Sequence, residues 1–428
     1  MLANKRTKSY VCIDLKSFYA SVECVDRGLD PFTENLVVAD PTRGSGTICL
    51  AITPAMKALG VKNRCRIFQI PNGIEYTMAT PRMARYMEVS AQINALYLRY
   101  VSAEDIHVYS IDECFIDATP YLKLYRMSAK AFAEMLRNKV TEETGITATA
   151  GIGPNLFLAK VALDIEAKKA ADGIGILGEE SYKREIWFHR PITDIWQVGP
   201  GIAHRLAKHG IHDMAGVCAA NPAWLKKEFG KNGEYLLDHA WGQEPCTIKQ
   251  IKEYRPAAHS ISNGQVLMRD YSFSEARTVL REMADASCLD LCAKGLSCGN
   301  VSVHVGYAQP HLTESGRWGM ESGGSTKLSE RTDSSHRIVK VALELFDKHT
   351  LNSEPIRRLT VALGALQPTK YDQPSLFGSE DDGKEADLAK ASIAVRDRFG
   401  KNALLRGTSL KQGATMRERN NQIGGHRA

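Results

Sequence analysis

Three carboxylates stand where acids are costly. Asp14 follows the apolar run Tyr10-Val11-Cys12-Ile13, and Asp112 and Glu113 lie between Ile111 and the pair Phe115-Ile116. A charge among residues that bury themselves needs a partner. An isolated Asp-Glu pair reads as a solvated turn. Three acids gathered at one point repel one another unless cations lie between them. An all-oxygen set suits Mg²⁺, which keeps several waters. Two such ions can clamp the attacking and leaving oxygens of an in-line phosphoryl displacement. The chemistry open to Asp14, Asp112 and Glu113 is therefore metal-assisted phosphoryl transfer, provided that the fold brings them together.

The elements that must do so follow from periodicity. Residues 10–13 predict a strand that enters a helix near Ser17. Apolar runs at 36–39 and 47–52 flank Asp40-Pro41-Thr42-Arg43-Gly44-Ser45-Gly46, which predicts two strands joined by a flexible basic loop. A helix is expected over 80–100. Residues 106–118 alternate around an acidic turn and predict a hairpin with Asp112 and Glu113 at its tip. Helix 128–143, strand 146–152 and helix 155–169 follow. This order fits an α+β fold, a ferredoxin-like antiparallel sheet with helices on one face. If the first strand lies beside the hairpin, the three acids converge. Short helices fill 174–250 around Val198-Gly199-Pro200-Gly201, and Lys249–Pro256 reads as a linker. A second βαββαβ unit spans 259–366, with Val301, Val303, Val305 and Tyr307 on one strand face. Residues 367–383 read as a disordered tether, followed by a helix near 385–399 and a basic polar tail.

Composition narrows the class. The 428 residues are 43% apolar and 24% charged, as in an ordinary folded protein, which excludes a fibre or a disordered chain. No run approaches the roughly 18 apolar residues of a membrane span. Met1–Tyr10 is polar and basic, and the apolar stretch behind it is too short for a signal peptide. The ten cysteines form no C-x-x-C pair and no zinc spacing, which reads as reduced thiols in the cytoplasm. The net charge of +6 is uneven. Residues 259–366 are neutral on balance and 384–428 carry +6 by themselves, so a basic tail separate from the folded body is expected.

Asp14-Leu15-Lys16-Ser17-Phe18-Tyr19-Ala20-Ser21-Val22-Glu23 and Tyr109-Ser110-Ile111-Asp112-Glu113-Cys114-Phe115 resemble the two catalytic motifs of the Y-family, or translesion, DNA polymerases. Gly151-Ile152-Gly153-Pro154-Asn155 through Ala159-Lys160 resembles the third. The likeness is to the UmuC branch, also called ImpB/MucB/SamB, and runs over about 8–366. The resemblance implies a right hand: palm 1–17 and 81–173, fingers 18–80, thumb 174–250, linker 251–258, little finger 259–366 and tail 367–428. It implies a monomeric, template-directed DNA polymerase that adds dNTPs to a primer 3′-hydroxyl at low fidelity in lesion bypass. Primer-template DNA is the implied partner, and accessory subunits or a recombinase filament are partners of that family.

The resemblance also assigns residues. Asp14, Asp112, Glu113 and the carbonyl of Leu15 would hold two Mg²⁺. Tyr19 would be the steric gate against a 2′-hydroxyl, with Phe18 beside it in the nucleotide pocket; by itself Phe18 reads as a core aromatic. Lys57 and Lys160 would meet the triphosphate, with Pro54 and Lys57 standing where the DinB branch has Tyr and Arg. Lys160 reads equally as a solvated helix lysine. Arg43 lies in the finger loop over the templating base. Gly199, Gly201 and Lys208 resemble a helix-hairpin-helix that meets DNA phosphates through backbone N–H groups. Gln373-Pro374-Ser375-Leu376-Phe377 resembles the sliding-clamp peptide, with Gln373, Leu376 and Phe377 as contacts. Two other classes share features. A nucleotide cyclase also uses paired acids on such a sheet, but needs neither the Gly-Pro-Gly element nor the clamp-like peptide. A non-catalytic DNA-binding accessory protein should have lost an acid, and all three are present.

Overall fold

The computed structural model describes residues 8–256, 259–312, 318–372 and 380–428, which fall into two compact units, Met1–Tyr254 and Arg255–Ala428. At the centre of the first lies β1 (Tyr10–Leu15), whose first four residues are almost fully buried. A strand buried on both faces reads as a continuous apolar run, and this one does. It is followed by α1 (Phe18–Asp26) and a small inserted sheet of β2 (Leu36–Val38), β3 (Ala51–Ile52) and β4 (Thr77–Ala79), with α2 (Pro54–Ala58) between β3 and β4. Then come α3 (Met83–Tyr97), β5 (Ile106–Val108), β6 (Glu113–Asp117), α4 (Thr119–Leu124), α5 (Ala129–Thr144), β7 (Ala148–Gly153), α6 (Leu156–Val161), a π-helical turn at Ala162–Glu166, α7 (Ala167–Lys169) and β8 (Ile174–Ile176).

The main sheet has the order β5-β6-β1-β7-β8. β1 pairs antiparallel with β6 and β7, and β8 runs parallel to β7. Helices on one face alone were expected, but both faces of β1 are covered. Tyr10 and Cys12 pack with Leu156, Ala159 and Leu163 of α6 and its following turn, and with Ile248. Val11 and Ile13, which point the other way, are equally buried, and α5 packs across β1 and β7.

Glycine permits the close seat of α6. A Cβ on Gly151 would overlap the carbonyl oxygen of Ala159, and one on Gly153 would lie 2.5 Å from the Ala159 nitrogen. The helical segment beyond β8 comprises α8 (Glu179–Glu185), α9 (Pro200–Ala207), α10 (Met214–Ala219), α11 (Pro222–Phe229) and α12 (Lys231–Ala240). The expected linker begins with α13 (Ile248–Glu253), capped by the Thr247 side chain. Ile248 and Ile251 pack against Tyr10 and Phe115, so this stretch belongs to the body of the first unit. Its polar composition hid a two-residue apolar stripe.

The second unit has the expected βαββαβ order: β9 (Ile261–Tyr271), α14 (Phe273–Ala293), β10 (Leu296–Leu312), β11 (Trp318–Thr332), α15 (Ser335–His349) and β12 (Ile356–Gly364). The strands stand in the order β11-β10-β12-β9, all antiparallel. Val301, Val303, Val305, Leu359 and Val361 pack with Val279, Met283, Ala342 and Phe346 of the two helices. Ser302, His304 and Gly306 occupy the alternate face of β10.

The C-terminal segment is not a separate tail. α16 (Glu380–Phe399) packs against α14. Glu282 of α14, 2% exposed, accepts hydrogen bonds from the backbone nitrogens of Thr415 (2.8 Å) and Met416 (3.2 Å), where α17 (Met416–Arg419) begins. Asp285 accepts from Ser335 Oγ at 2.7 Å and pairs with Arg406 at 3.2 Å. The basic charge of this segment is thus fastened to the unit by two acids on one helix. The peptide Gln373–Phe377 lies outside the described residues.

Candidate active site

The acidic edge is built by strand register. Asp14 is the Cα partner of Glu113 on one side and of Thr149 on the other. The Leu15 nitrogen donates to the Asp112 carbonyl oxygen at 2.9 Å, which ties the acidic turn to the end of β1. The turn is closed by the Tyr109 and Ser110 nitrogens donating to the Glu113 carbonyl at 2.9 and 3.1 Å. Ser110 Oγ donates to Asp112 Oδ1 at 2.6 Å, and Ser90 Oγ of α3 supports the Ile111 carbonyl at 2.5 Å. Just beyond β1 the chain bends into α1 through Ser17, a non-glycine residue at φ 49°. Such strained positions are held only where surrounding contacts fix them.

The electrostatics follow from this crowding of negative charge. The Asp14 carboxyl is raised to about 7, first by burial and then by the charges of Asp112 and Glu113, while Lys160 opposes the shift. Glu113 is buried. Its Oε1 accepts from the Cys12 thiol at 3.2 Å and pairs with Lys160 Nζ at 2.8 Å. Lys160 also pairs with Asp164 at 3.0 Å. Burial works against the Lys160 ammonium, but Asp164 and Glu113 outweigh it and hold its pKa above the usual value. Among the described residues, no three His, Cys, Asp or Glu side chains form a ready ligand set. The backbone converges as expected, whereas the Glu113 side chain is engaged by Lys160. Like charges repel, and the ammonium is the cation within reach.

The other expected residues are placed as follows. Tyr19 is half-buried and stacks on Tyr86, with ring centroids 4.5 Å apart and planes at 16°. Burial and then the Asp112 charge raise its hydroxyl, while Arg64 opposes. Phe18 is 2% exposed and belongs to the core. Lys57 projects from α2. Desolvation lowers its ammonium pKa, Asp14 opposes, and the charges of Lys168 and Lys16 add to the lowering. Lys57 and Asp14 are therefore within electrostatic reach. Arg43 ends a one-turn helix, Pro41–Arg43, capped by Asp40, with which it pairs at 3.5 Å. The expected flexible basic loop is thus a capped turn. It closes at Gly44, whose φ of 71° and ψ of −175° few other residues adopt. Gly199 caps α9, Gly201 lies in its first turn, and Lys208 is exposed at its end.

Sequence reading missed three groups. Asp164 shares Lys160 with Glu113; the four-residue spacing of Lys160 and Asp164 was the available signal. Buried Glu23 accepts from Tyr86 OH at 2.7 Å and Arg82 Nε at 2.8 Å, and so anchors the ring under Tyr19. Trp196 Nε1 donates to Tyr109 OH at 3.1 Å beside the acidic turn. Nothing in the sequence joins residues so far apart.

A paired-acid sheet edge with an inserted subdomain, a helical segment and a second α+β unit defines a polymerase-type hand. Known proteins agree. The impB/mucB/samB family matches residues 13–164 and its C-terminal domain matches 258–376. A protein named DNA polymerase IV 2 from Bacillus subtilis is 32% identical over 98% of this chain and 99% of its own. One of the same name from Halalkalibacterium halodurans is 30% identical over 97% of this chain and 98% of its own. A solved Y-family DNA polymerase chimera shares the fold at a TM-score of 0.61 and 21% identity, covering 83% of this chain and 98% of its own. The chain belongs to the impB/mucB/samB family, the UmuC-like branch of the Y-family polymerases.

Proposed function

We propose that the chain is a DNA-directed DNA polymerase of the translesion class. The observation that carries the reading is the register of Asp14 against Glu113, with Asp112 bound back to Leu15. The first unit carries palm, fingers and thumb, and the second carries the little finger with its docked C-terminal segment. The donor set is all oxygen, and the raised Asp14 carboxyl marks negative charge in want of a counter-ion. Asp14, Asp112, Glu113 and the Leu15 carbonyl would hold two Mg²⁺, which when bound neutralise charge at the primer 3′-oxygen and the triphosphate. The remaining task is positioning, since phosphoryl transfer asks little covalent chemistry of the protein.

Tyr19, backed by Tyr86, presents the ring that would lie under the sugar and exclude a 2′-hydroxyl. Lys57 is the triphosphate cation, acting as a point charge without the bidentate fork of arginine. Lys160 stands behind Glu113, occupied by two carboxylates. A Cβ on Gly199 or Gly201 would meet nothing within 4 Å, and neither has a positive φ. No internal packing requires glycine there; close approach of a phosphate supplies the reason. The open face of β10 with its neighbours would lie on duplex DNA. Gln373, Leu376 and Phe377 would bind the sliding clamp. Among the described residues no helix is long and apolar enough to cross a membrane, and we place the enzyme in the cytoplasm with its DNA. To test the reading, the full chain is given primer-template DNA, Mg²⁺ and each dNTP singly. Insertion that follows the template base is expected; no insertion, or insertion indifferent to the template, contradicts it.

A further inference from the structure

We propose that Asp164 is a positioning residue that sets divalent-metal affinity through Lys160. The inference rests on the reading of Asp14, Asp112 and Glu113 as metal ligands. Lys160 is almost fully buried and spans two acids, Glu113 at 2.8 Å and Asp164 at 3.0 Å. Three features fix that geometry. Gly151 and Gly153 let α6 lie directly on the sheet. The π-helical turn Ala162–Glu166 continues α6 and carries Asp164 one turn beyond Lys160. A Cβ on Gly175 of β8 would overlap the Ala162 carbonyl and stand 2.6 Å from the Ala167 nitrogen, so that turn is pressed onto the sheet. π-Turns of this kind recur at functional sites.

The arrangement has a consequence for cation binding. In the resting geometry Lys160 neutralises Glu113. A divalent ion that takes Glu113 as a ligand competes with the ammonium for the same carboxylate. Without a second partner, Lys160 would be left as a buried, uncompensated cation beside the incoming charge, which is costly. Asp164 offers that partner within the same ion-pair network, so Lys160 can release Glu113 without leaving its site. Asp164 touches neither Asp14 nor Asp112 in any hydrogen bond or ion pair among the described residues. The Asp164 charge also adds, last and least, to the raising of the Asp14 carboxyl, so the test must separate that direct field from an effect passed through Lys160.

The test is a double-mutant cycle on the full chain without DNA or nucleotide, reading Mn²⁺ binding by electron paramagnetic resonance of the free ion. Asp164→Asn is expected to weaken Mn²⁺ binding by about tenfold, within the range of coupling for residues in one ion-pair network. In a Lys160→Met background the same substitution is expected to change Mn²⁺ affinity by less than about twofold. Asp164→Glu should restore most of the affinity. Melting curves of each variant verify that it is folded. An equal loss in both backgrounds would overturn the proposal, because Asp164 would then act by its own charge. Unchanged affinity in Asp164→Asn would overturn it as well. If wild type and Asp112→Asn bind Mn²⁺ alike, it is the metal reading itself that fails, which is a different result.

Discussion

Two buried glutamates, one in each unit, show how the same side chain serves different ends. Glu113 is held by an ammonium and a thiol, Lys160 and Cys12. Glu282 is held by two backbone N–H groups at the start of α17. A side-chain cation can move away and let another cation in. Backbone N–H groups cannot leave without unfolding the segment that carries them. The proposed reading makes Glu113 an exchangeable site, whereas Glu282 is a structural rivet. Charge also differs around them: Glu113 shares its edge with Asp14 and Asp112, whereas Glu282 anchors a segment of net charge +6.

The contrast can be broken by substitution. The largest effect is expected for Glu113→Gln, which should lower Mg²⁺-dependent extension by about a thousandfold, the scale of several kcal/mol of metal-borne charge stabilisation. Its melting temperature should change little. Glu282→Ala should do the reverse, costing about 3 kcal/mol through loss of charge-assisted hydrogen bonds, read as earlier thermal unfolding of the second unit with the insertion chemistry intact. If Glu113→Gln instead lowers the melting temperature as Glu282→Ala does and, below that temperature, extends primers at the wild-type rate, the two glutamates have been misassigned.

A second comparison separates the two aromatics of α1. Tyr19→Ala should raise ribonucleotide incorporation by about tenfold or more, the scale on which one steric contact discriminates substrates. Phe18→Ala should chiefly destabilise, by about 3 kcal/mol for a lost core aromatic. An unchanged dNTP/rNTP ratio in Tyr19→Ala would remove the gate.

The smallest effect concerns pH. Folded Asp14 keeps its proton up to about pH 7, whereas an unfolded aspartate releases it near about pH 4. Its folded pKa is raised, so its stabilising effect is complete below about pH 4 and is lost as pH rises toward 7. Asp14→Asn removes that loss. In metal-free buffer the variant should melt higher than wild type at pH 8 and equal to it at pH 4, and added Mg²⁺ should narrow the gap at pH 8. A variant that melts lower at pH 8 would show that Asp14 is not electrostatically frustrated.

Much of this was legible in the chain because the acidic motifs sit within strands whose pattern is local. The run 10–13 and the alternation across 106–118 supply the two strands, and the meeting of Asp14 with Glu113 was expected on condition that those strands lie side by side, as they do. The βαββαβ order of the second unit followed from period-2 alternation such as Val301, Val303, Val305 and Tyr307. What was hidden depends on contacts distant in sequence. Glu282 meets Thr415 across 133 residues, and a polar basic stretch gives no sign that one buried acid will hold it. Ile248 and Ile251 were masked by the lysines among them. Lys160 closes the segment Gly151–Lys160, but its partners depend on how closely α6 approaches the sheet, which only the glycines of β7 and β8 reveal.

The most direct test of the central claim is single-turnover insertion of one templated dNTP at saturating primer-template and Mg²⁺, comparing wild type with Asp112→Asn. The acidic edge predicts that the variant binds DNA and melts as wild type does, yet inserts at least about a hundredfold more slowly. Insertion by Asp112→Asn at the wild-type rate would contradict the claim that this edge carries the chemistry.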